Sequence, residues 1–333
     1  MSLADCLPPT DQDLPAALAP AECRGMATRL RFRHAGERKV GLRIEVVGPS
    51  KAPAVWVAGG ISAHRHVVAH ARNAAAGWWQ DVVGPGRALD PARLRLLSFD
   101  WLGADGELDI PIDTADQADA IACALDALGI ERLHGFVGAS YGGMVALQFA
   151  ARHPQRVGRI AVLSAADRPH PYASAFRSLQ RQIVALGQLQ CAETLGLSLA
   201  RQLAMLSYRT PREFAARFDA APRIEGGRVR CAAESYLEAC GDRYVARWTA
   251  TAFVRLSESI DLHAVDPATV RVPTALLAVR GDWLAPPEQV EALAARLPAP
   301  VGCQVIDSMF GHDAFLKERE PVDRLLRQTL HPL

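Results

Sequence analysis

The stretch GFVGASYGGMVALQFA, Gly135–Ala150, takes the chain from an apolar strand pattern straight into a helical one, with a serine at the corner. Ser140 lies between Gly138 and Gly142, which gives the spacing G-x-S-x-G. In this pattern the serine occupies a strained strand-to-helix turn that exposes its hydroxyl, and side chains in place of the glycines would clash with the adjoining strand and helix. The spacing therefore predicts that Ser140 is a nucleophile.

The same turn predicts a place where negative charge is stabilised. The backbone N–H groups that follow the serine, starting with Tyr141, open a helix, and a helix N-terminus favours a developing negative charge. In this architecture a second donor comes from the loop after an early strand. Within Trp56–His66 the N–H of Ile61 is the expected oxyanion donor, with that of Gly60 next in line.

Strand and helix patterns alternate on both sides of the turn. Strands are predicted at Val40–Gly48, Ala52–Gly60, Arg93–Asp100 and Val157–Ala165, and a helix at Thr114–Ile130 with Thr114 as N-cap and Gly129 at its end. The alternation resumes after residue 272. This order is typical of βαβ units and predicts an α/β fold with a mostly parallel sheet.

The composition of the chain divides it into four segments. Residues 1–27 are rich in Pro and Ala, and we interpret them as a loosely ordered leader. Residues 28–168 and 263–333 carry the alternating patterns and are predicted to form the two parts of one core. Residues 169–262 are dense in Ala, Leu, Arg and Gln with few strand patterns, so they are predicted to be a helical lid inserted between those parts.

A serine hydroxyl needs a base, and in this architecture an acid and then a histidine follow it in the chain. Asp282 lies just past one predicted strand and His312 just past the next. The carboxyl ends of parallel strands line the site of an open α/β sheet, so both side chains are expected near Ser140. The order predicts a triad in which His312 is the base and Asp282 orients it.

Composition and charge exclude several functions. The chain has 333 residues, of which 50% are hydrophobic, and a net charge of +1, so neither nucleic acid nor a membrane surface is an expected partner. We interpret the basic run Arg29–Lys39 as a solvated strand face. The first residues lack a basic segment followed by an apolar core, and no apolar run approaches 20 residues. These observations predict a cytoplasmic protein.

Metal binding is not expected. His64 and His66 stand close in sequence, but no carboxylate or cysteine lies at metal-ligand spacing from them. The seven cysteines are scattered without a C-x-x-C pair, and Cys231 and Cys240 are not predicted to form a disulfide or a zinc site. We expect free thiols, no metal and no bound cofactor.

Several further segments resemble the homoserine O-acyltransferases of methionine biosynthesis, which have the α/β-hydrolase fold. The matching pieces are GWWQDVVGPGRALD (Gly77–Asp90), GASYGGMVALQFAARHP, YVARWTATAFVRLSESIDLH (Tyr244–His263), GDWLAPPEQ and GHDAFL. The first of these is more specific than the serine turn, since ordinary esterases lack it.

The resemblance implies a two-step transfer without a bound cofactor. The serine takes an acyl group from the co-substrate acyl-CoA, either acetyl-CoA or succinyl-CoA, and passes it to the hydroxyl of L-homoserine. By matched position the resemblance implies that Arg247 holds the substrate carboxylate and Asp313 the substrate amine, which suits a zwitterion. It also implies a homodimer. For a succinyl donor, Arg65, Arg72 and Arg168 are candidate contacts.

The chain departs from the family at three places. Phe253 stands where the family has a tyrosine, which predicts the loss of one polar substrate contact. The segment after Asp100 is shortened to residues 101–113, and Tyr141 replaces the usual methionine.

Three alternatives remain open at this point. L-serine is a shorter acceptor, and one methylene is worth only about 1–3 kcal/mol in a pocket. A plain serine hydrolase would use the same triad with water. A non-catalytic scaffold would need none of the three triad residues.

Overall fold

The computed structural model describes residues 19–331 and shows an eight-stranded sheet in the order β1-β2-β4-β3-β5-β6-β9-β10. The strands are β1 (Ala21–Phe32), β2 (Gly36–Val47), β3 (Ala54–Ala58), β4 (Arg95–Phe99), β5 (Gly135–Ala139), β6 (Ile160–Leu163), β9 (Thr274–Arg280) and β10 (Pro300–Asp307). β1 and β2 pair antiparallel, β2 also pairs antiparallel with β4, and the other neighbours pair parallel. The prediction of a mostly parallel α/β sheet is confirmed.

Both faces of the central strands are covered. β5 is buried throughout and lies between β3 and β6, which explains its continuous apolar sequence. One face packs on α1 (Thr114–Ala127), α2 (Tyr141–Arg152) and α8 (Pro287–Arg296). The other face packs on α10 (Arg319–Leu330) and on the irregular segment after β3, which includes Val67 and Trp79. The short helix α9 (Ala314–Lys317) precedes α10.

The helical segment predicted at 169–262 lies between β6 and β9. Its elements are α3 (Pro171–Leu189), α4 (Glu193–Tyr208), α5 (Pro211–Phe218), the hairpin β7 (Arg223–Glu225) and β8 (Arg228–Arg230), α6 (Ala232–Val245) and α7 (Ala250–Leu262). The hairpin was not predicted, because its strands are only three residues long and fully or half exposed. Among residues 19–331, none of the helices combines the length and apolarity needed to cross a bilayer.

Two sequence predictions need correction. Residues 21–27 were assigned to the loosely ordered leader, but they form the first half of β1, paired along their length with β2. The rest of the assigned leader, up to residue 18, lies outside the described residues. The N-cap of α1 is Asp113 rather than Thr114, because the Asp113 side chain accepts from the backbone N–H of Ala115 and Asp116 completes a capping box. Gly129 ends this helix as predicted, at φ +66°.

Candidate active site

Ser140 occupies the corner between β5 and α2 with a left-handed backbone, φ 53° and ψ −120°. A Cβ at Gly138 would lie 2.2 Å from the carbonyl oxygen of Gly142, and one at Gly142 would lie 2.3 Å from the carbonyl oxygen of Ala58. These contacts show why glycines flank the serine: strand and helix approach too closely for side chains. The turn has the strained form that the G-x-S-x-G spacing predicted.

The three predicted triad side chains lie within hydrogen-bonding distance of one another. Ser140 Oγ is 2.7 Å from His312 Nε2, and His312 Nδ1 is 2.8 Å from Asp282 Oδ2. The other oxygen of Asp282 accepts from the backbone N–H groups of Leu284 and Ala285, which holds the carboxylate in place. With Nδ1–H donating to Asp282, the neutral ring presents Nε2 as an acceptor for the serine hydroxyl. This arrangement can remove a proton from Ser140.

The surroundings of His312 tune its basicity. Burial alone would disfavour the charged imidazolium, but the adjacent carboxylate of Asp282 outweighs it, so the pKa of His312 is raised above its ordinary value. Asp282 is itself buried, and water therefore screens this attraction weakly. The result is a stronger base than an isolated imidazole.

Two backbone N–H groups are available beside Ser140. Ile61 and Tyr141 both line the cavity at the serine, and within the described part of the chain neither N–H donates a hydrogen bond. The carbonyl of Gly60 accepts from Trp101 Nε1 at 3.1 Å, which orients the loop that carries Ile61. The Tyr141 side chain is fully buried, and its hydroxyl hydrogen-bonds to Ser259 Oγ at 2.6 Å. Both predicted oxyanion donors therefore sit on fixed backbone.

The tryptophan pair of the GWW segment supports this loop. Trp78 lines the cavity, and its Nε1 donates to the carbonyl of His64 at 3.0 Å. Trp79 is buried, and its Nε1 donates to the carbonyl of Phe315 at 3.0 Å, three residues after His312. This segment thus connects the loop of Ile61 to the segment of His312.

Ser140 opens into a cavity of about 340 Å³ between the sheet and the helical segment. Three arginines of the helical segment line it: Arg177 on α3, Arg201 on α4 and Arg209 just after α4. The arginines suggested from the sequence as succinyl contacts, Arg65, Arg72 and Arg168, do not line this cavity. Arg65 instead pairs with Asp100.

Arg209 and Asp313 form a charged pair at the cavity wall. Arg209 Nη2 is 3.4 Å from Asp313 Oδ2, and Nη1 also pairs with Glu213, a buried acid. Burial raises the pKa of the Asp313 carboxyl above its ordinary value, although the charge of Arg209 opposes this shift. A fixed cation and a fixed anion therefore face the cavity next to His312. Such a pair matches the carboxylate and the ammonium of an amino acid.

The structure corrects the predicted role of Arg247. This side chain is exposed and lines a different cavity, so it does not stand beside Asp313. Arg209 takes that place, and sequence reasoning missed it because nothing in the spacing of SYRTPREF marks an arginine as facing the site. The only local signal is its position between the end of α4 and Thr210, the N-cap of α5.

The predicted loss of a polar contact at Phe253 is also wrong. Phe253 is buried in a small apolar cluster with Val184, Leu197 and Tyr244 and does not line the cavity at Ser140. The shortened segment 101–113 contributes to the wall of the other cavity, not to this one.

The region of His64 and His66 holds a buried cluster that spacing could not reveal. The fold brings Glu45 of β2 to His66 and His70, so that one ligand atom from each lies within 4.8 Å of the others. His66 Nδ1 donates to Glu45 at 2.9 Å and Nε2 donates to the carbonyl of Ala75 at 2.7 Å. Burial opposes the charge of His66, but these partners raise its pKa. The cluster is therefore an ion pair that anchors the loop after β3 to β2.

Comparison with known proteins identifies the family. The α/β-hydrolase fold model matches residues 67–318. The chain is 58% identical over 324 residues to a homoserine O-succinyltransferase of Xanthomonas campestris pv. campestris, covering 97% of this chain and 86% of the relative. It is 35% identical over 284 residues to a homoserine O-acetyltransferase of Thermus thermophilus, covering 75% and 71%. The chain belongs to the homoserine O-acyltransferase family.

Solved structures agree on the fold. The crystal structure of a homoserine O-acetyltransferase from Bacillus anthracis superposes with a TM-score of 0.82 at 16% identity, covering 94% of this chain and 99% of that one. Esterase E22 superposes equally well at 17% identity. The α/β-hydrolase architecture is thus shared by family members and by esterases, and the residues around Ser140 must distinguish the two activities.

Proposed function

We propose that this chain transfers the acyl group of succinyl-CoA to the hydroxyl of L-homoserine through an acyl-Ser140 intermediate. The observation that carries the proposal is the pair Arg209 and Asp313 at the wall of the cavity that contains the Ser140–His312–Asp282 triad. A hydrolase that uses water has no need for a cation and an anion in this position. A free amino acid needs both.

In the first half-reaction, Ser140 Oγ attacks the thioester carbonyl carbon while His312 Nε2 takes the hydroxyl proton. The negative charge on the carbonyl oxygen develops toward the N–H groups of Ile61 and Tyr141, which are pre-oriented and so need no reorganisation. Collapse of the tetrahedral intermediate breaks the carbon–sulfur bond. His312 returns the proton to the sulfur, free CoA leaves, and Ser140 carries the acyl ester.

In the second half-reaction, homoserine binds with its carboxylate on Arg209 and its ammonium on Asp313. Its hydroxyl then lies within reach of His312, the residue that directly precedes Asp313. His312 takes the hydroxyl proton as the oxygen attacks the acyl carbon, and the proton passes to Ser140 Oγ when the ester bond to the enzyme breaks. Placement of the acceptor by two charges supplies the orientation that this step requires.

The donor proposal rests on the charge balance of α3. Arg177 and Arg181 both pair with Asp261, each at 2.7 Å, so two guanidinium groups share a single carboxylate. Burial would raise the pKa of Asp261, but these two cations hold it below its ordinary value. One positive charge is left uncompensated, and Arg177 lines the cavity. We propose that Arg177 binds the distal carboxylate of a succinyl group, with Arg201, which has no ion-pair partner among residues 19–331, on the wall of the same cavity.

The testing experiment measures CoA release by the purified protein. Acetyl-CoA and succinyl-CoA are each supplied with L-homoserine, with L-serine and with no acceptor. The proposal predicts release that depends on homoserine and is faster with succinyl-CoA. Equal release without an amino acid would show a hydrolase and would remove the roles given to Arg209 and Asp313.

Further parts of the proposal concern the whole molecule. We propose that residues 169–262 act as a lid, because α3 and α4 supply cavity-lining side chains that the sheet does not. A homodimer would cover leucines exposed on these two helices, such as Leu186, Leu189 and Leu195. Size-exclusion chromatography with light scattering tests the dimer. The six described cysteines are all free thiols, which supports a reducing cytoplasmic location.

A further inference from the structure

A second cavity adjoins the active site on the side of the loop that carries Ile61. It measures about 370 Å³ and is walled by β2, by the start of that loop, by the segment after Asp100 and by the turn between α6 and α7. Ser62 and Ala63 line both cavities, so the two share a wall that begins one residue after Ile61. The second cavity also contains two features that the proposed reaction leaves unused, Arg247 and the end of the basic run, Lys39.

The charges on this wall are unbalanced in favour of cations. Arg65 pairs with Asp100, and Arg43 pairs with Asp100 and Asp105, so these groups largely neutralise one another. Within residues 19–331, the side chains of Lys39 and Arg247 have no ion-pair partner. They lie on β2 and just after α6, elements that are far apart in sequence, and both line this cavity. Glu107 is the one further acid of the wall.

The shared wall also holds an unsatisfied polar group. Ser62 Oγ is buried near the Tyr244 side chain but makes no hydrogen bond of good geometry in the described structure, although buried hydroxyls are nearly always paired. It stands between the reactive serine and the two free cations. A ligand that runs from one cavity to the other would pass this hydroxyl and could hydrogen-bond to it.

We infer that the second cavity binds the phosphate groups of the acyl donor, with Lys39 and Arg247 as the phosphate contacts and Ser62 as a contact to the connecting arm. The inference rests on the proposed use of acyl-CoA. A CoA thioester has its reactive carbonyl at one end of a long amide-containing arm and its diphosphate and 3′-phosphate at the other. A charged site set apart from the triad and joined to it by a polar contact fits this distribution, and lysine and arginine are the side chains that bind phosphate.

The test compares two donors that share the reactive end. KM is measured for acyl-CoA and for the matching S-acylpantetheine, which lacks the phosphates, in the wild type and in K39A, R247A and the double variant. Each single change should raise the KM for acyl-CoA about fivefold and the double change more, because a charge-assisted hydrogen bond is lost. The KM for S-acylpantetheine should stay unchanged. The control is K51A, which removes one charge from an exposed turn outside both cavities.

Two further measurements sharpen the result. Glu107→Gln removes the acid of the wall and should lower the KM for acyl-CoA about twofold, and added salt should weaken donor binding less in the double variant than in the wild type. The inference is overturned if the double variant keeps the wild-type KM for acyl-CoA, or if both donors weaken equally. A selective loss in Trp283→Ala, at the exposed aromatic mouth beside Tyr172, would place the nucleotide there instead.

Calorimetric binding of free CoA separates this inference from the proposed function. If the protein fails to acylate homoserine, a Kd for CoA that rises in the Lys39 and Arg247 variants still supports the phosphate site. If it acylates homoserine normally and CoA binds these variants as tightly as the wild type, only the phosphate site is refuted.

Discussion

The sheet and the helical segment contribute to the same cavity in different ways. The sheet side supplies Ser140, Asp282 and His312 from the ends of β5, β9 and β10, and the two hydrogen bonds between them measure 2.7 and 2.8 Å. The helical side supplies Arg177, Arg201 and Arg209 from α3 and α4. Reaction chemistry thus comes from the carboxyl edge of the sheet, and we propose that recognition of the amino acid and of the transferred acyl group comes from the helices.

The triad side chains and the arginines differ in the interactions that hold them in position. The triad is fixed by backbone that permits little adjustment, such as the left-handed Ser140 and the amides that bind Asp282. Arg177 and Arg209 are held by ion pairs with Asp261, Glu213 and Asp313, which a substrate carboxylate can replace, and Arg201 lies over the rings of Tyr208 and Tyr244. Variation of a few helical side chains could therefore change the donor or the acceptor without touching the reaction itself.

The largest expected effect comes from Ser140→Ala. Loss of the nucleophile should lower kcat by about 10⁴-fold, since no acyl-enzyme can form. The thermal midpoint should stay within about 2 °C of the wild type, because only one hydroxyl is removed. The matched control is Ser164→Ala: Ser164 also has a positive φ, 49°, and lines the cavity, but makes no side-chain hydrogen bond in the described structure. Turnover by the Ser140 variant near the wild-type rate would disprove the covalent route.

The second-largest expected effect is on the KM for homoserine, and it should distinguish Arg209 from Arg247, the two arginines considered for the substrate carboxylate. Arg209→Lys should raise the KM for homoserine about 30-fold and Arg209→Ala about 100-fold, because the substrate carboxylate loses a two-pronged partner. Arg247→Ala should leave this KM within about twofold, since that side chain faces the other cavity. Thermal unfolding of the Arg209 variants must be measured as well, because the buried Glu213 keeps only Arg217 as an ion-pair partner in them. Equal effects of Arg209 and Arg247 on homoserine would contradict this assignment.

A smaller effect should appear in the choice of donor. Arg177→Gln should lower kcat/KM for succinyl-CoA about 20-fold and leave that for acetyl-CoA within about threefold, since only the succinyl group carries a distal carboxylate. Arg181→Gln is the comparison variant: it also frees Asp261 from one cation but does not line the cavity. A parallel loss for both donors in the Arg177 variant would indicate a structural role.

The smallest effect is a shift along the pH axis. His312 acts only when neutral, and the pKa of His312 is raised, so CoA release in the first half-reaction should fall as pH decreases through a midpoint above about 6.5. Below that midpoint the decline should approach tenfold per pH unit. Asp282→Asn removes the charge that raises this pKa and should move the midpoint to lower pH at a reduced rate. A midpoint near 5 in the wild type would be inconsistent with His312 as the base.

The same comparison explains how far the sequence could predict the site. Ser140, Asp282, His312 and Tyr141 were predictable because each follows a strand pattern, and parallel strands bring their ends together whatever the details of packing. The role of Arg209 was not predictable, because the position of this side chain depends on how α4 packs against its neighbours. α4 meets α3 where Gly187 and Gly196 approach closely. Such contacts depend on shape and leave no periodic pattern in the sequence.

The resemblance to the family was also a poor guide to residues whose positions depend on helix packing. It led correctly to the family, but it assigned the carboxylate contact to Arg247 and a substrate role to the site of Phe253. Both lie in the stretch Tyr244–His263, where Tyr244 and Phe253 are buried side by side. A segment that resembles the family therefore indicated membership of the family but not which of its residues contact substrate. The side chains around Asp313 in three dimensions were needed to choose Arg209 over Arg247.

The wide separation of the triad in sequence has a consequence for folding. The proposed nucleophile is residue 140, whereas its proposed acid and base follow 142 and 172 residues later, and Trp79 must reach Phe315 to join the early loop to the late segment. No part of the chain that lacks β9 and β10 can activate the serine. With the proposed mechanism, a newly made or partly unfolded molecule cannot consume CoA thioesters, and the rate at which Ser140 reacts with a serine-directed fluorophosphonate should report complete tertiary assembly more directly than helix content does.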